Sequence, residues 1–341
     1  MPEVGPDGDR ILFSASEEYL GTAVHELRST VGGSVERCGP DCGVLEAAGT
    51  LADVAAACRD GRIAFVRHLV AVRARLDATA DVTTIRAAAV DLLDGAPVPG
   101  GLAVQVWKSG AGPAAPTTDV AAGVREALVE RGVEVSPSGR EQVLSVCLTP
   151  AGVLVGLNRT ADGLSDWPGG RVRLAKRQGQ VSRAEFKLEE LFGVLPLALP
   201  ATGAALDLGA APGGWTRILR LRGLQVWAID PGELDPRVAA DPGVHHVRTT
   251  AGEFFRSTAL DFDLAVNDMR MDAELSCRVM RDAAVRLRPG AVAVVTLKVG
   301  SNRPLAALRR CREILDDDYE PVFARQLQHN RHELTLVARR R

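Results

Sequence analysis

A glycine-rich turn in the C-terminal half of the chain carries the clearest chemical signal in the sequence. Segment 205–216 reads ALDLGAAPGGWT, an apolar strand followed by a turn and the start of a helix. Gly209, Gly213 and Gly214 permit positive φ angles and the close approach of a ligand to the carboxyl end of a strand. The next apolar strand ends about 20 residues later at Asp230, where a carboxylate can accept hydrogen bonds from a ribose diol. The pattern predicts a nucleotide-cofactor site.

The chemical class of the cofactor follows from what this turn lacks. GAAPGG matches neither G-x-G-x-x-G nor the phosphate-binding G-x-x-x-x-G-K-[ST], and its proline removes a backbone donor that a pyrophosphate would use. S-adenosylmethionine, which has no phosphates, therefore fits better, although a turn that serves only close packing remains an alternative. The residues predicted to contact it are Asp207, Gly209, Ala210, Pro212, Gly213, Gly214, Trp215 and Asp230.

Lysine is rare in this chain, so each lysine is a candidate for chemistry. Only Lys108, Lys176, Lys187 and Lys298 occur among 41 basic residues. A lysine amine can lose its proton when burial and nearby charges lower its pKa, whereas arginine stays protonated in proteins. Chemistry that needs a titratable amine would therefore keep lysine, although chance retention is the simpler alternative.

The elements around the turn predict an α/β fold. From Ala204 onward six apolar strands (AALDLGA, LQVWAID, HHVRT, FDLAVND, AVAVVTLK and ELTLVAR) alternate with helical segments. This alternation is typical of a doubly wound parallel sheet, a Rossmann-like domain. The first half also mixes strands, including Ile63–Val72, with helices, and a Pro/Gly-rich stretch at 94–101 interrupts it. We predict three domains: an α/β unit at 1–95, a second module at 96–170 and the Rossmann-like domain at 171–341.

Several segments of the third domain resemble the FtsJ-type ribose 2′-O-methyltransferases. LDLGAAPGGWT resembles their cofactor loop, and SRAEFKLEEL, AVNDM, VVTLKVG and RHELTLVA match the four motifs of their Lys-Asp-Lys-Glu tetrad in the expected order. The resemblance implies that Lys187, Asp268, Lys298 and Glu333 are the catalytic residues. Lys298 would be the general base, Asp268 and Lys187 would tune its charge, and Glu333 would orient the lysines and the hydroxyl.

The resemblance also implies two further cofactor contacts. Asp268 stands at the end of a strand, and Thr250 stands about where the family has an acid near the adenine. The chain therefore has a threonine where the family has an acid, and the nearby acid, Glu253, is slightly displaced from that position. The adenine contact thus departs from the family pattern.

The first half is similar to the ferredoxin-like plus THUMP arrangement of RNA-modifying enzymes, which implies an RNA partner. Segment 171–187 contains six basic residues and one acid, and Arg171, Arg173, Lys176, Arg177 and Arg183 are predicted to contact phosphates. The resemblance favours ribosomal RNA of the large subunit as the substrate, with a tRNA 2′-O-methyltransferase or an inactive RNA-binding protein as alternatives. A solvated charged face is the other explanation of the basic run.

Composition limits the remaining function classes. The net charge of −2 gives no overall basic field, and six scattered cysteines, with a single close pair in CGPDC, suggest free thiols in the cytoplasm rather than disulfides or a metal site. The sequence contains neither a signal-peptide pattern nor an apolar run long enough to span a membrane. A base methyltransferase is disfavoured because there is no N-P-P-Y-like motif and no cysteine follows a proline. Oligomeric state cannot be predicted.

Overall fold

The computed structural model describes residues 9–94, 98, 100–200, 202–300 and 302–341. The chain divides into two compact units between Val172 and Arg173. Each unit combines one β-sheet with helices, so the predicted α/β class is confirmed. The division into three domains stays a prediction, and part of its first boundary (95–97 and 99) lies outside the described residues.

The N-terminal unit contains a sheet of eight strands. Its strands are β1 (Arg10–Ser14), β2 (Ser34–Arg37), β3 (Cys42–Glu46), β4 (His68–Leu76), β5 (Leu102–Lys108), β6 (Val135–Ser136), β7 (Gln142–Thr149) and β8 (Gly152–Arg159), and its helices are α1 (Leu20–Thr30), α2 (Leu51–Arg59), α3 (Val82–Asp91) and α4 (Thr117–Glu130). The strand order is β2-β3-β1-β4-β8-β7-β5-β6. Ile85 of α3 and Val124 of α4 bury their side chains with Val104 and Leu144 of the sheet.

The strand predicted from Ile63 begins five residues later, at His68. The buried Glu26 explains the difference, because its carboxylate accepts the backbone N–H groups of Ala64 (3.1 Å) and Phe65 (2.9 Å). Those donors are thereby satisfied without a strand partner.

The C-terminal unit contains a sheet of seven strands. Its strands are β9 (Ala204–Leu208), β10 (Gln225–Ile229), β11 (Val244–Val247), β12 (Phe262–Asn267), β13 (Leu287–Leu297), β14 (Tyr319–Arg325) and β15 (Leu334–Arg340), and its helices are α5 (Glu185–Val194), α6 (Gly214–Arg220), α7 (Pro236–Ala239), α8 (Ala251–Ser257), α9 (Ala273–Ala283) and α10 (Pro304–Leu315). The strand order is β11-β10-β9-β12-β13-β15-β14. On one side of the sheet, Leu188 and Leu191 of α5 and Ile218 of α6 are buried with Val226 and Leu264 of the strands.

The predicted parallel arrangement holds for five strands and is wrong for the last. β9 to β13 run parallel to one another, whereas β15 runs antiparallel to β13 and to β14. β14 was not predicted: it lies at the edge of the sheet and contains Pro321, which an edge strand tolerates. Because β15 is antiparallel, it begins at the sheet edge where the parallel strands end.

Candidate active site

One edge of the C-terminal sheet brings the predicted chemical residues together. Leu208 pairs with Ile229 and with Asn267, while Leu297 pairs with Leu334. The residues next to these positions are Gly209 and Asp230 on one side, and Asp268, Lys298 and Glu333 on the other. The strand order places them in the sequence β10, β9, β12, β13 and β15 along that edge. The site therefore follows from the topology of the sheet.

The glycine turn forms a tight bend between β9 and α6. Gly209 has φ +75° and Gly213 has φ +106°. A Cβ atom on Gly209 would lie 2.3 Å from Cγ of Met269, and one on Gly214 would lie 2.2 Å from Oγ of Ser182. The turn thus needs glycine both for its backbone angles and for its close contacts.

Asp230 is fixed by the backbone around the turn. Its carboxylate accepts the N–H groups of Ala211 (3.1 Å) and Gly232 (2.7 Å), and the residue lines the cavity above the sheet edge. A carboxylate oxygen has more than one lone pair, so these bonds leave acceptor capacity for a diol.

Asp207 is a buried carboxyl group below the turn. It accepts a hydrogen bond of 2.6 Å from Thr216 Oγ1. Burial raises the pKa of Asp207 to about 7, with a smaller contribution in the same direction from the negative charge of Asp268. The neighbouring Trp215 is also buried and donates its indole N–H to the carbonyl of Ala184, 2.7 Å away.

The four tetrad residues form one network of ion pairs. Lys187 Nζ lies 2.9 Å from Asp268 Oδ1 and 2.6 Å from Glu333 Oε2. Lys298 Nζ lies 3.1 Å from Asp268 Oδ1 and 3.6 Å from Glu333 Oε1. The four side chains are between 15% and 22% exposed, so they are largely shielded from water and open to the cavity.

The electrostatic environment shifts the pKa values of Lys187 and Asp268 in opposite directions. Burial lowers the pKa of Lys187, but the carboxylates of Asp268 and Glu333 outweigh it and raise the pKa above its usual value. Burial raises the pKa of Asp268, but the cations of Lys187 and Lys298 outweigh it and lower the pKa. Lys187 is therefore held as a cation and Asp268 as an anion.

Thr296 belongs to the same network and was not predicted. Its Oγ1 donates to Asp268 Oδ1 and accepts from Lys298 Nζ, both at 2.5 Å. Thr296 stands two residues before Lys298, and alternate residues of a strand share a face. The two-residue spacing from Lys298 was the signal in the sequence that could have identified Thr296. Threonine is so common in strands that this spacing alone did not single it out.

A cavity of about 920 Å³ connects the turn with the tetrad. Most predicted cofactor residues line it, together with the tetrad: Lys187, Asp207, Gly209, Ala210, Pro212, Gly214, Trp215, Asp230, Asp268, Lys298 and Glu333. Gly213 is not among the lining residues, but its positive φ forms part of the bend on which the lining residues stand.

Thr250 does not line this cavity. It is exposed and caps α8, where its hydroxyl accepts from the N–H of Glu253 while the Glu253 carboxylate accepts from the N–H of Thr250. Its contact with an adenine stays a prediction.

The predicted RNA contacts are divided between the two units. Arg171 lies in the N-terminal unit, where it pairs with Asp41 at 2.5 Å. Arg173, Lys176, Arg177 and Arg183 lie in the C-terminal unit and are exposed; Arg177 pairs with Glu189 at 3.1 Å, and Arg183 lines the cavity.

Sequence reasoning missed the residues at the far side of the cavity. Phe186, Gln328, His329 and Arg331 line it beside Glu333. The adjacency of Phe186 to Lys187 was the available signal, whereas the approach of segment 328–332 is set by tertiary structure. Among the described residues, no group of three or more His, Cys, Asp or Glu side chains is placed to hold a metal ion, and none of the described helices is long and apolar enough to cross a membrane.

Comparison with known proteins identifies the family. The FtsJ-like methyltransferase family matches residues 180–303. A protein from Xanthomonas campestris pv. campestris (strain B100), named "Ribosomal RNA large subunit methyltransferase M", is 32% identical over 308 residues, which cover 85% of this chain and 86% of that protein. The chain belongs to the family of ribosomal RNA large subunit methyltransferase M.

Other relatives of this family match over shorter lengths. The protein of the same name from Halorhodospira halophila is 40% identical over 179 residues, 51% of this chain and 51% of the relative, so the match spans about half the length of that relative. Among solved structures, TrmN from Thermus thermophilus aligns over 97% of this chain and 100% of its own with 18% identity and a TM-score of 0.41, a similarity too low to add to the assignment.

The family match gives the C-terminal unit its cofactor, S-adenosylmethionine. The residues present fit this molecule. The turn is kept free of side-chain atoms at Gly209, where a Cβ would collide with Met269, and Asp230 presents a fixed carboxylate to the cavity. The acceptor capacity of Asp230 suits a ribose diol.

Proposed function

We propose that this protein is an S-adenosylmethionine-dependent ribose 2′-O-methyltransferase that acts on large-subunit ribosomal RNA. The observation that carries the proposal is the meeting of Lys187, Asp268, Lys298 and Glu333 beside the glycine turn, within hydrogen-bond and ion-pair distances. The names of the relatives support ribosomal RNA as the substrate.

The reaction needs a base because a ribose hydroxyl is a poor nucleophile while it keeps its proton. Lys298 is the better candidate of the two lysines. Lys187 makes three contacts of 3.1 Å or less with carboxylate oxygens, which hold it protonated, whereas Lys298 makes one such contact and one with a neutral hydroxyl. In the proposed mechanism Lys298 Nζ accepts the proton of the 2′-hydroxyl.

The other members of the network position this base. Asp268 and Thr296 hold the Lys298 amine by hydrogen bonds, and the Lys187 cation balances the charge of Asp268. Glu333 lies 3.6 Å from Lys298, close enough to orient the amine and the incoming hydroxyl. Fixed positioning of the reacting groups contributes much of the acceleration in such a reaction.

When bound, S-adenosylmethionine supplies a methyl group made electrophilic by the sulfonium. The turn at 209–214 and Asp230 would hold the cofactor at the β9–β10 side of the cavity. The tetrad then lies on the substrate side, and the side chains around it limit the access of water.

Mapping of 2′-O-methyl groups tests the function. RNA from cells with and without this gene is partially hydrolysed in alkali, since a 2′-O-methylated nucleotide blocks cleavage at its 3′ side. One position in large-subunit ribosomal RNA should lose protection without the gene and regain it on complementation. Complementation with Lys298→Arg should not restore it. A position lost in tRNA instead would overturn the substrate, and no change in any RNA would favour an inactive RNA-binding protein.

A further inference from the structure

The far wall of the cavity lies on the substrate side of the tetrad. Along the sheet, Asp230 follows β10 and Glu333 precedes β15, four strand spacings away, which is about 19 Å at about 4.8 Å per spacing. The cofactor turn lies at the first of these positions. The residues beside Glu333 therefore face whatever approaches the tetrad from the side opposite the turn.

Two aromatic rings form part of this wall. The ring centroids of Phe186 and His329 lie 5.2 Å apart with an angle of 41° between their planes, and both residues line the cavity. Phe186 is half-buried, and the side chain of His329 is 21% exposed. These rings are therefore not core residues, since each keeps part of its surface at the cavity.

A buried carboxylate fixes the second ring. Glu190, whose side chain is 3% exposed, accepts the backbone N–H groups of Gln328 (2.7 Å) and His329 (2.9 Å) and lies 2.6 Å from His329 Nδ1. A buried carboxylate is costly unless it is bonded in this way. Its hydrogen bonds orient the imidazole ring and hold the backbone of the same segment.

The segment that carries His329 is held in a defined shape up to Glu333. Asn330 Oδ1 accepts from the N–H of Leu327 (2.8 Å) and from Thr335 Oγ1 (3.1 Å). Arg331 adopts φ +55° and ψ −106°, an uncommon conformation for a residue with a side chain, of the kind found at functional sites. One helix, α5, carries Phe186 and Lys187, which line the cavity, and the buried Glu190, which holds this segment from behind.

We propose that Phe186 and His329 form a stacking platform for the base of the nucleotide that is methylated, with Glu190 as the positioning residue of His329. The inference rests on the proposed function. RNA sequences are recognised mainly through unstacked bases that lie against aromatic side chains. Phe186 is adjacent to Lys187 and His329 is close to Glu333 in the chain, so a base on these rings brings its own ribose to the tetrad.

Steady-state methylation of large-subunit ribosomal RNA transcripts tests the platform. Phe186→Leu removes a ring but keeps an apolar side chain, and His329→Asn removes a ring but keeps a donor for Glu190. Stacking of one base is worth about tenfold in affinity. Each variant should raise KM for RNA about tenfold with a smaller effect on kcat, while the Kd for S-adenosylmethionine stays within about twofold of the wild-type value. Phe186→Tyr, which restores a ring, should recover most of the loss.

A matched variant and a matched substrate separate stacking from a general loss of structure. Phe192→Leu removes the same ring from the same helix, where Arg222 covers it 3.8 Å from its centroid outside the cavity, and should keep the wild-type KM. A transcript with an abasic residue at the mapped position should raise KM about tenfold for the wild-type protein and less than twofold for Phe186→Leu.

Each other outcome has a definite meaning. An unchanged KM in both ring variants, an equal loss in Phe192→Leu, or a weakened Kd for the cofactor would overturn the platform. If either ring variant is unfolded by circular dichroism, the other variant and the abasic transcript with the wild-type protein still decide the question. Failure of the wild-type protein to methylate RNA would instead overturn the proposed function.

Discussion

The two tetrad lysines have the same functional group but different surroundings. Lys187 lies between the carboxylates of Asp268 and Glu333, which raise its pKa. Lys298 contacts the same Asp268 Oδ1, but its other close contact is the neutral hydroxyl of Thr296. A cation held between two anions can neutralise charge but is a poor proton acceptor. The oxygens around each amine therefore determine that Lys187 serves as a structural cation and Lys298 as the base.

Arginine substitution distinguishes these two roles. Lys298→Arg keeps the charge but cannot accept a proton, so kcat for RNA methylation should fall about a hundredfold or more. Lys187→Arg keeps the cation that the site needs and should lose about tenfold at most. The measurement is transfer of tritiated methyl groups to RNA, together with cofactor binding by calorimetry, which neither change should weaken.

Lys108→Arg serves as the control, since this lysine lies in the N-terminal unit and donates to the carbonyl of Pro113 at 3.0 Å. Its rate should equal that of the wild-type protein. A larger loss in Lys187→Arg than in Lys298→Arg would reverse the assignment of the base.

Asp207 gives the C-terminal unit a pH-dependent stability. Burial raises its pKa in the folded state to about 7, whereas the unfolded value is near 3.8. The folded state thus favours the protonated form, so the contribution of this group to stability is fully present below pH 3.8 and is lost as the pH rises through 7. The loss is on the order of 4 kcal/mol at full ionisation.

Asp207→Asn should remove this dependence, because an amide stays neutral and its oxygen can still accept from Thr216. Relative to the wild-type protein, the variant should gain free energy of unfolding between pH 5 and pH 8, as measured by urea denaturation. Asp282→Asn, at an exposed position of α9, should show no such gain. Parallel curves for wild type and Asp207→Asn would contradict the prediction.

At the scale of elements, the sequence was most informative where strands are buried on both faces. The runs ending at Leu208, Ile229 and Asn267 were recognised because a buried parallel strand is continuously apolar. The residues that follow them could then be placed at one edge. β14 was not predicted because its run YEPVFAR contains a proline and two charged residues. β15 pairs antiparallel with β14, so its direction could not be predicted without that strand.

Residues that act through distant contacts could not be found in the same way. Glu190 and His329 are 139 residues apart in the chain and meet because α5 packs beside segment 328–330. No sequence pattern around Glu190 or His329 predicts that the two residues are in contact. Thr250, which the resemblance places near the adenine, caps α8 and does not line the cavity, so its contact with the cofactor stays a prediction.

The turn between β9 and α6 can be tested as an element. In Gly213→Ala the new Cβ would lie 2.9 Å from Cγ1 of Val238 at φ +106°, so the turn must shift. The Kd for S-adenosylmethionine should rise at least tenfold by calorimetry. Gly290→Ala is the control. Gly290 also has a positive φ, +79°, but no described atom lies within 4 Å of the added Cβ, so this variant has a similar backbone strain without a collision and away from the site. Equal cofactor affinity in the two variants would show that the bend does not shape the site.

For the whole molecule, the balance of charge makes local patches decisive. With 41 basic and 43 acidic residues, the protein has no net field to attract a polyanion. RNA contact must then depend on where the cations stand. Arg173, Lys176 and Arg177 are exposed and lie within 12 residues of the start of α5, the helix that carries Lys187. The half-buried Arg171 already pairs with Asp41.

The salt dependence of RNA binding measures how many of these cations meet phosphates. Replacing Arg173, Lys176 and Arg177 together by glutamine should weaken binding to a ribosomal RNA transcript and reduce the slope of log K against log salt by about two to three units, since each phosphate contact contributes about 0.7 to 0.9. Arg256, Arg278 and Arg281, exposed on or beside α8 and α9, form a control triple with the same change in charge. If overall charge governed binding, both triples would lower the slope equally. If the cations before α5 contact the RNA backbone, only the first triple changes the slope, and filter binding over about 50 to 300 mM salt separates the two results.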